Sequence, residues 1–242
     1  MTGTAQEAAG ELWRFYRLEV VSVRRHRPFC GEELPVRIFR NRTEKWRALS
    51  EVIRTCQEGG QPVLLGCQTI EESEQLAEYL RSDGIKLVLL NAKSMSEEAE
   101  IVARAGDAAM VTIATNMAGR GTDIVPDPQA LEAGGLFVIS TGMEEARRID
   151  RQLKGRAARQ GQPGSSAFYL SGDDSLLNDY LPDDARKLRS LKNTPGDAEV
   201  PAAKWYSRFQ LAQRLAEKAR YEQRVATFFH NELLNETKER LV

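Results

Sequence analysis

ATNMAGRGTDIV (residues 114–125) and RRIDRQLKGRAARQGQPGSS (residues 147–166) decide the fold of this 242-residue chain. Both are dense in glycine and arginine. The apolar β-branched run MVTIA (110–114) leads into the first, and LFVIST (136–141) lies just ahead of the second. Strands that deliver Gly-Arg loops to one rim of an open α/β sheet present guanidinium and backbone N–H groups to phosphate. The pair therefore reads as half of a nucleotide-binding cleft. A phosphate loop of the form GxxxxGK[ST] occurs nowhere in the sequence,.

The surrounding pattern supports that sheet. From Pro62 onward strands and helices alternate: VLLGC, a helix from Ile70 to Ser82, KLVLLN, a helix from Ser96 to Ala105, and MVTIAT. LFVIST, a helix from Glu144 to Arg159, and SAFYLS then follow. Alternation of this length predicts an α/β fold, an open and mainly parallel sheet with helices on both faces. Right-handed crossovers place the loops that follow the strands on one rim, shared by both Gly-Arg stretches.

Ahead of this core, Ala5 to Leu18 has helical spacing with Thr4 as N-cap, and Glu19 to Val23 reads as a short strand,. Residues 24–35 are a basic connector, VRIF (36–39) is a strand, and Thr43 to Gly59 is a helix capped by Thr43,. Behind the core, residues 173–191 are helical and NTPGDAEVP (193–201) is a polar linker. Residues 202–241 form one long helix with Trp205, Phe209, Ala212, Ala216 and Ala219 on a stripe,. That stripe either awaits a partner or folds back on its own domain.

Composition adds bounds. A formal net charge of −1 gives no global basic field for nucleic acid,. Arg147, Arg148, Arg151, Lys154, Arg156 and Arg159 nevertheless cluster against the single acid Asp150. Cys30, Cys56 and Cys67 are scattered and odd in number, which fits a reducing compartment, and no CxxC or Cys/His cluster suggests a metal,. Without an apolar run of about 20 residues or a signal-like N-terminus, the expected compartment is cytoplasmic.

The chemistry of the two loops is specific. In Gly119-Arg120-Gly121-Thr122-Asp123 the glycines permit close backbone approach, Arg120 can extend to a polyphosphate, and Asp123 can accept from ribose hydroxyls or orient an arginine,. The plainer reading has Thr122-Asp123 capping the next turn. Arg156 and Arg159 stand at i and i+3, with Gln152 one turn earlier on the same predicted helix face,. Two guanidiniums match the charge that develops on a γ-phosphate. An arginine delivered from a neighbouring domain is worth about 10³–10⁵ in rate.

Taken together, these stretches resemble the second nucleotide-binding (RecA-like) domain of the SecA preprotein translocase ATPase family. TNMAGRGTDI looks like its motif V and RRIDRQLKGRAARQG its motif VI. MTGTA (1–5), QPVLLGCQTIEESEQLAEYL (61–80), LNAK (90–93), EAGGL (132–136) and SSAFYLSGDDSLL (165–177) follow in the family's order. The resemblance implies three parts. Residues 1–40 are the end of a first motor domain and the interdomain crossover, 41–192 the second RecA-like domain, and 193–242 a linker and the start of the helical scaffold. It implies ATP or ADP with Mg2+, the metal held mainly by a first motor domain that is expected to be absent. Asp123 then contacts the nucleotide along with Gly119, Gly121 and Gln152. Arg120, Arg156 and Arg159 act in catalysis, and Arg147 and Arg148 latch the two motor domains.

Its implied partners are that first motor domain, a preprotein and a SecYEG-type translocon, with no sequence-specific nucleic acid. The implied location is cytoplasmic and peripheral at the inner face of the plasma membrane. Three residues depart from the family's GRSGRQGD: Ala157, Ala158 and Gln162 stand in place of Ser, Gly and Asp. Alanine for glycine is expected to be harmless within a helix while removing close backbone approach. Two alternatives stand beside this reading. One is a helicase C-terminal domain, although the sequence lacks the histidine of the DEAD-type HRxGRxGR pattern. The other is a non-catalytic interaction module.

Overall fold

The computed structural model describes residues 4–24, 26–90, 98–115, 123–192 and 199–239. Seven strands form its sheet: β1 (Gly31–Glu33), β2 (Arg37–Phe39), β3 (Val63–Cys67), β4 (Val88–Leu90), β5 (Val111–Thr115), β6 (Leu136–Ser140) and β7 (Gly164–Ser171). Their order is β1-β7-β6-β3-β5-β4, with β2 also on β7, and every pairing is parallel. β3, β5 and β6 are buried at every residue. Their unbroken apolar runs reflect this, because a parallel strand is covered on both faces.

Helices close those faces. α1 (Ala9–Tyr16) lies near the N-terminus, after a single tight turn (Ala5–Ala8). α2 (Arg42–Glu58) and α3 (Ile70–Ser82) bury Leu49, Ile53, Leu76 and Leu80 against Leu65, Ile113 and Ile139. On the opposite face α4 (Glu98–Arg104), the short α5 (Pro128–Glu132) and α6 (Arg147–Lys154) follow their strands. Val102 and Leu153 pack there against Leu64, Leu90, Ala114 and Val138. Gly66 admits α6: a β-carbon there would lie 2.3 Å from Leu153 Cδ2.

A third core joins β2 and β7 to α7 (Ser175–Tyr180), α8 (Pro182–Arg189) and the 38-residue α9 (Ala202–Glu239). Here the apolar stripe of α9 finds its partner within the same chain. Trp205, Phe209, Ala212 and Ala216 are buried beside Ile38, Phe168 and Leu170, while Ala219 is exposed. Further along, α9 meets α1 through Phe15 and Phe228 (ring centroids 4.8 Å) and through Arg224 and Glu11 (2.6 Å). The end of the linker adds an antiparallel bridge to β2, with Val200 N donating to Ile38 O at 2.8 Å. No helix among the described residues is long and apolar enough to cross a membrane.

Several local expectations are corrected. Residues 19–23 form no strand among the described residues, and the connector instead contributes β1. The register along β7 steps by one residue between β1 and β2, at Pro35, whose missing N–H breaks the ladder,. α2 begins at Arg42 and is capped by Asn41, whose side chain accepts from Glu44 N, rather than by Thr43.

Candidate functional site

The helix of the second Gly-Arg stretch ends at Lys154, five residues before its predicted end at Arg159, with Gly155 as C-cap. Beyond it the chain enters the left-handed region three times: Ala158 (φ 53°), Gln160 (φ 54°) and Gly161 (φ 80°). Arg156 and Arg159 therefore do not share one helix face. Ala158 packs closely on two glycines: a β-carbon at Gly31 would lie 2.7 Å from Ala158 Cβ, and one at Gly164 would lie 2.6 Å from Ala158 N. The expectation that alanine is harmless at Ala158 fails, because the position is a left-handed turn rather than helix interior. A non-glycine residue costs roughly 1–2 kcal/mol there.

This turn delivers Arg159 to Asp123. Its Nη1 lies 2.6 Å from Asp123 Oδ1, and its Nε donates to Gly155 O at 3.0 Å. Gln160 Nε2 reaches the other carboxylate oxygen at 3.5 Å. The side chains of Arg159 and Asp123 remain 34% and 39% exposed. At that exposure the pair contributes about 0–1 kcal/mol and either member is free to exchange partners. The pair is also not on the rim that follows the strands. Arg159 precedes the first residue of β7, and the segment after Asp123 runs back toward the start of β5, where Asp127 N bonds Gly106 O at 3.1 Å.

The remaining sequence-derived residues divide. Gly119, Arg120 and Gly121 lie outside the described residues. Arg156 is half-buried in the turn. Gln152 turns from the pair and donates to Thr4 Oγ1 at 3.1 Å. Arg147 is engaged by α9: its backbone N donates to Glu217 Oε1 at 2.9 Å and its Nη2 lies 3.0 Å from Oε2. Arg148 is exposed. Beside them is Asp150, which sequence reasoning registered only as a lone acid. It accepts from Gln213 Nε2 at 2.6 Å and from Glu144 N at 3.0 Å, tying α6 to α9. Burial pushes its carboxyl up to about 7, with these two donors opposing the shift.

A second charged cluster went unread. Lys45, on α2, lies 2.6 Å from Asp174 Oδ1 and donates to Thr141 O at 2.5 Å, beyond the C-terminal ends of β6 and β7. Ser171 donates to Asp174 from both N (2.9 Å) and Oγ (2.7 Å), and Thr141 Oγ1 donates to Glu72 at 3.0 Å. The available signal was a lysine on the apolar stripe shared with Ala48, Leu49 and Ile53.

A family model described as the SecA P-loop domain matches residues 28–129 and 126–195. The protein translocase subunit SecA of Solidesulfovibrio magneticus is 41% identical over 242 residues, covering 99% of this chain and 28% of its own length. That of Bacteroides thetaiotaomicron is 48% identical over 183 residues, covering 76% of this chain and 16% of its own length. The chain thus spans under a third of these relatives. Among solved structures, the yeast DEAD-box splicing factor Prp28 aligns over 87% of this chain and 43% of its own, with a TM-score of 0.53 at 15% identity. At that identity it shows a shared RecA-like fold alone.

Proposed function

The chain belongs to the SecA family, and from that premise we propose that it is the arginine-bearing half of a composite ATP site in a SecA-like protein translocase. The observation that carries this is the exposed Arg159–Asp123 pair at the mouth of a left-handed turn. Its polar groups fit a nucleotide: a guanidinium to donate to phosphate, a carboxylate to accept from ribose hydroxyls, and the Gln160 amide beside them,. Bound ATP would bring the phosphoanhydride, and the phosphate loop and magnesium-binding acids would come from a first motor domain.

In this reading the chain's own residues hold a closed state that nucleotide converts. Arg159, bonded to Asp123, keeps two charges satisfied until phosphate competes for the guanidinium. Asp123, released, becomes an acceptor for ribose. Arg156, half-buried in the same turn, adds positive charge beside the pair. Because α6 is tied to α9 through Asp150–Gln213 and Arg147–Glu217, a shift of the turn is passed to the long helix. Preprotein and a SecYEG-type translocon are the partners this reading assigns, with the chain cytoplasmic and peripheral at the membrane.

Titration of a fluorescent ADP or ATP analogue tests it, with the chain alone and mixed with a SecA-type first motor domain. Weak binding that tightens on mixing, and is lost in Asp123→Ala and Arg159→Ala, is expected. ATP turnover stays at background until the second domain is added. No response in either condition rejects the composite site in favour of an interaction module. Salt-dependent RNA binding with a slope of several phosphates would favour a helicase.

A further inference from the structure

The left-handed turn that carries Arg159 is an unfavourable backbone, and something must hold it. Ala158 and Gln160 both lie at positive φ without being glycine, and each costs roughly 1–2 kcal/mol there. From outside its own strand-helix unit the turn is met by Asp123, at the side chains of Arg159 and Gln160, and by the connector around residues 27–31, at the backbone. Arg27 Nη1 donates to Gln160 O at 3.1 Å. Arg27 Cβ and Cδ would each lie 3.5 Å from a β-carbon at Gly161, so the stem lies along the turn. A β-carbon at Gly31 would lie 2.3 Å from Phe29 Cζ and 2.7 Å from Ala158 Cβ, so the connector packs closely on the turn there, and β1 then locks it to Gly164–Ser166 of β7.

We propose that Arg27 is a positioning residue for the candidate site. By bonding the Gln160 carbonyl it holds the turn left-handed, and the turn in turn aims the Arg159 guanidinium at Asp123. Arg159 is adjacent to Gln160, and both reach the same carboxylate. If Gln160 relaxes to negative φ, its carbonyl swings away and both side chains leave Asp123. The connector joins α1 to the sheet edge, so displacement of that segment releases Arg159 without any contact to a ligand. The link to nucleotide rests on the function proposed above; the link from Arg27 to Arg159 does not.

The test separates the two. In the full chain, the Arg159 Nε–Hε signal is assigned by NMR through its loss in Arg159→Lys, then followed in Arg27→Ala and Arg27→Lys. Because that proton is bonded to Gly155 O, its exchange with solvent is expected to quicken about fivefold in Arg27→Ala, the equivalent of one hydrogen bond. Arg27→Lys, which keeps one donor, restores part of the protection. Gln160→Gly, which lowers the cost of the turn at the exposed residue whose carbonyl Arg27 bonds, suppresses the Arg27→Ala effect,. With the first motor domain present, nucleotide affinity should weaken by a similar factor. Unchanged Arg159 exchange in Arg27→Ala overturns the proposal, whether or not nucleotide binds. A change that Gln160→Gly fails to suppress also overturns it, by showing that Arg27 does not act through the turn. Altered exchange in a chain that binds no nucleotide would uphold the positioning and sink only the composite site.

Discussion

Lys45 and Asp174 meet at 2.6 Å, and so do Arg159 and Asp123, yet the two pairs differ in what surrounds them. The side chains of the first are 2% and 5% exposed; those of the second are 34% and 39% exposed. Around Lys45 the remaining polar atoms are bonded in turn by Thr141, Ser171 and Glu72. The result is a joint between α2, β6 and the start of α7 that no solute reaches. Around Arg159 and Asp123 the further bonds are fewer, one to Gly155 O and one from Gln160, and both side chains stay open to solvent. Equal distance therefore gives unequal roles: a sealed pair fixes a fold, and an open one stays exchangeable.

The largest effect should come from breaking the sealed pair. Lys45→Met leaves the Asp174 carboxylate buried with only Ser171 donating to it, at a cost of about 3–5 kcal/mol in urea unfolding. Changing Asp174 to Asn as well should recover part of this. A cost below about 1 kcal/mol would place both pairs in one class.

Asp150 sharpens the comparison as an intermediate case, since burial there outweighs its two donors. Its folded pKa of about 7 stands above the ordinary 3.8, so the folded state binds the extra proton between those values. The stability it contributes is fully present below about pH 4 and is lost as pH rises through 7, on the order of a few kcal/mol in all. Urea midpoints measured from pH 5 to 8 should fall with this slope, and Asp150→Asn should flatten it. A wild-type profile identical to that of Asp150→Asn would mean the carboxyl is ionised throughout.

Arg159→Ala should change stability by less than about 1 kcal/mol, in contrast to Lys45→Met. A larger loss in thermal or urea unfolding would make the open pair structural and weaken its reading as a ligand site. Smallest of all is Ala158→Gly. Relief of a left-handed alanine, about 1 kcal/mol, is offset by loss of one buried methyl, about 0.8 kcal/mol. The variant should unfold within about 1 kcal/mol of the parent.

The parallel sheet was legible because β3, β5 and β6 are continuous apolar runs separated by capped helices, a pattern with few other solutions. Asp123 and Arg159 were also picked out, one from each stretch, and the structure joins them. Gln152 and Arg147 were picked out equally well by spacing, but one bonds Thr4 and the other Glu217. Their side-chain types suit several partners, and sequence order carries no information on which partner lies nearest. The stripe of α9 was visible; that it closes on β2 and β7 was left open, since periodicity specifies a buried face and not what buries it.

What the sequence determined by itself is thus the set of local periodicities: strand, helix, the Gly-Arg stretches and the family they resemble. Tertiary structure decided the rest. It ended α6 at Gly155, set Ala158 and Gln160 at positive φ beneath the connector, sealed Lys45 and left Arg159 open. The reason is range: periodicity and capping act over a few residues. Burial and the choice of an ion's partner depend on segments that, like Arg27 and Gln160, stand 133 residues apart.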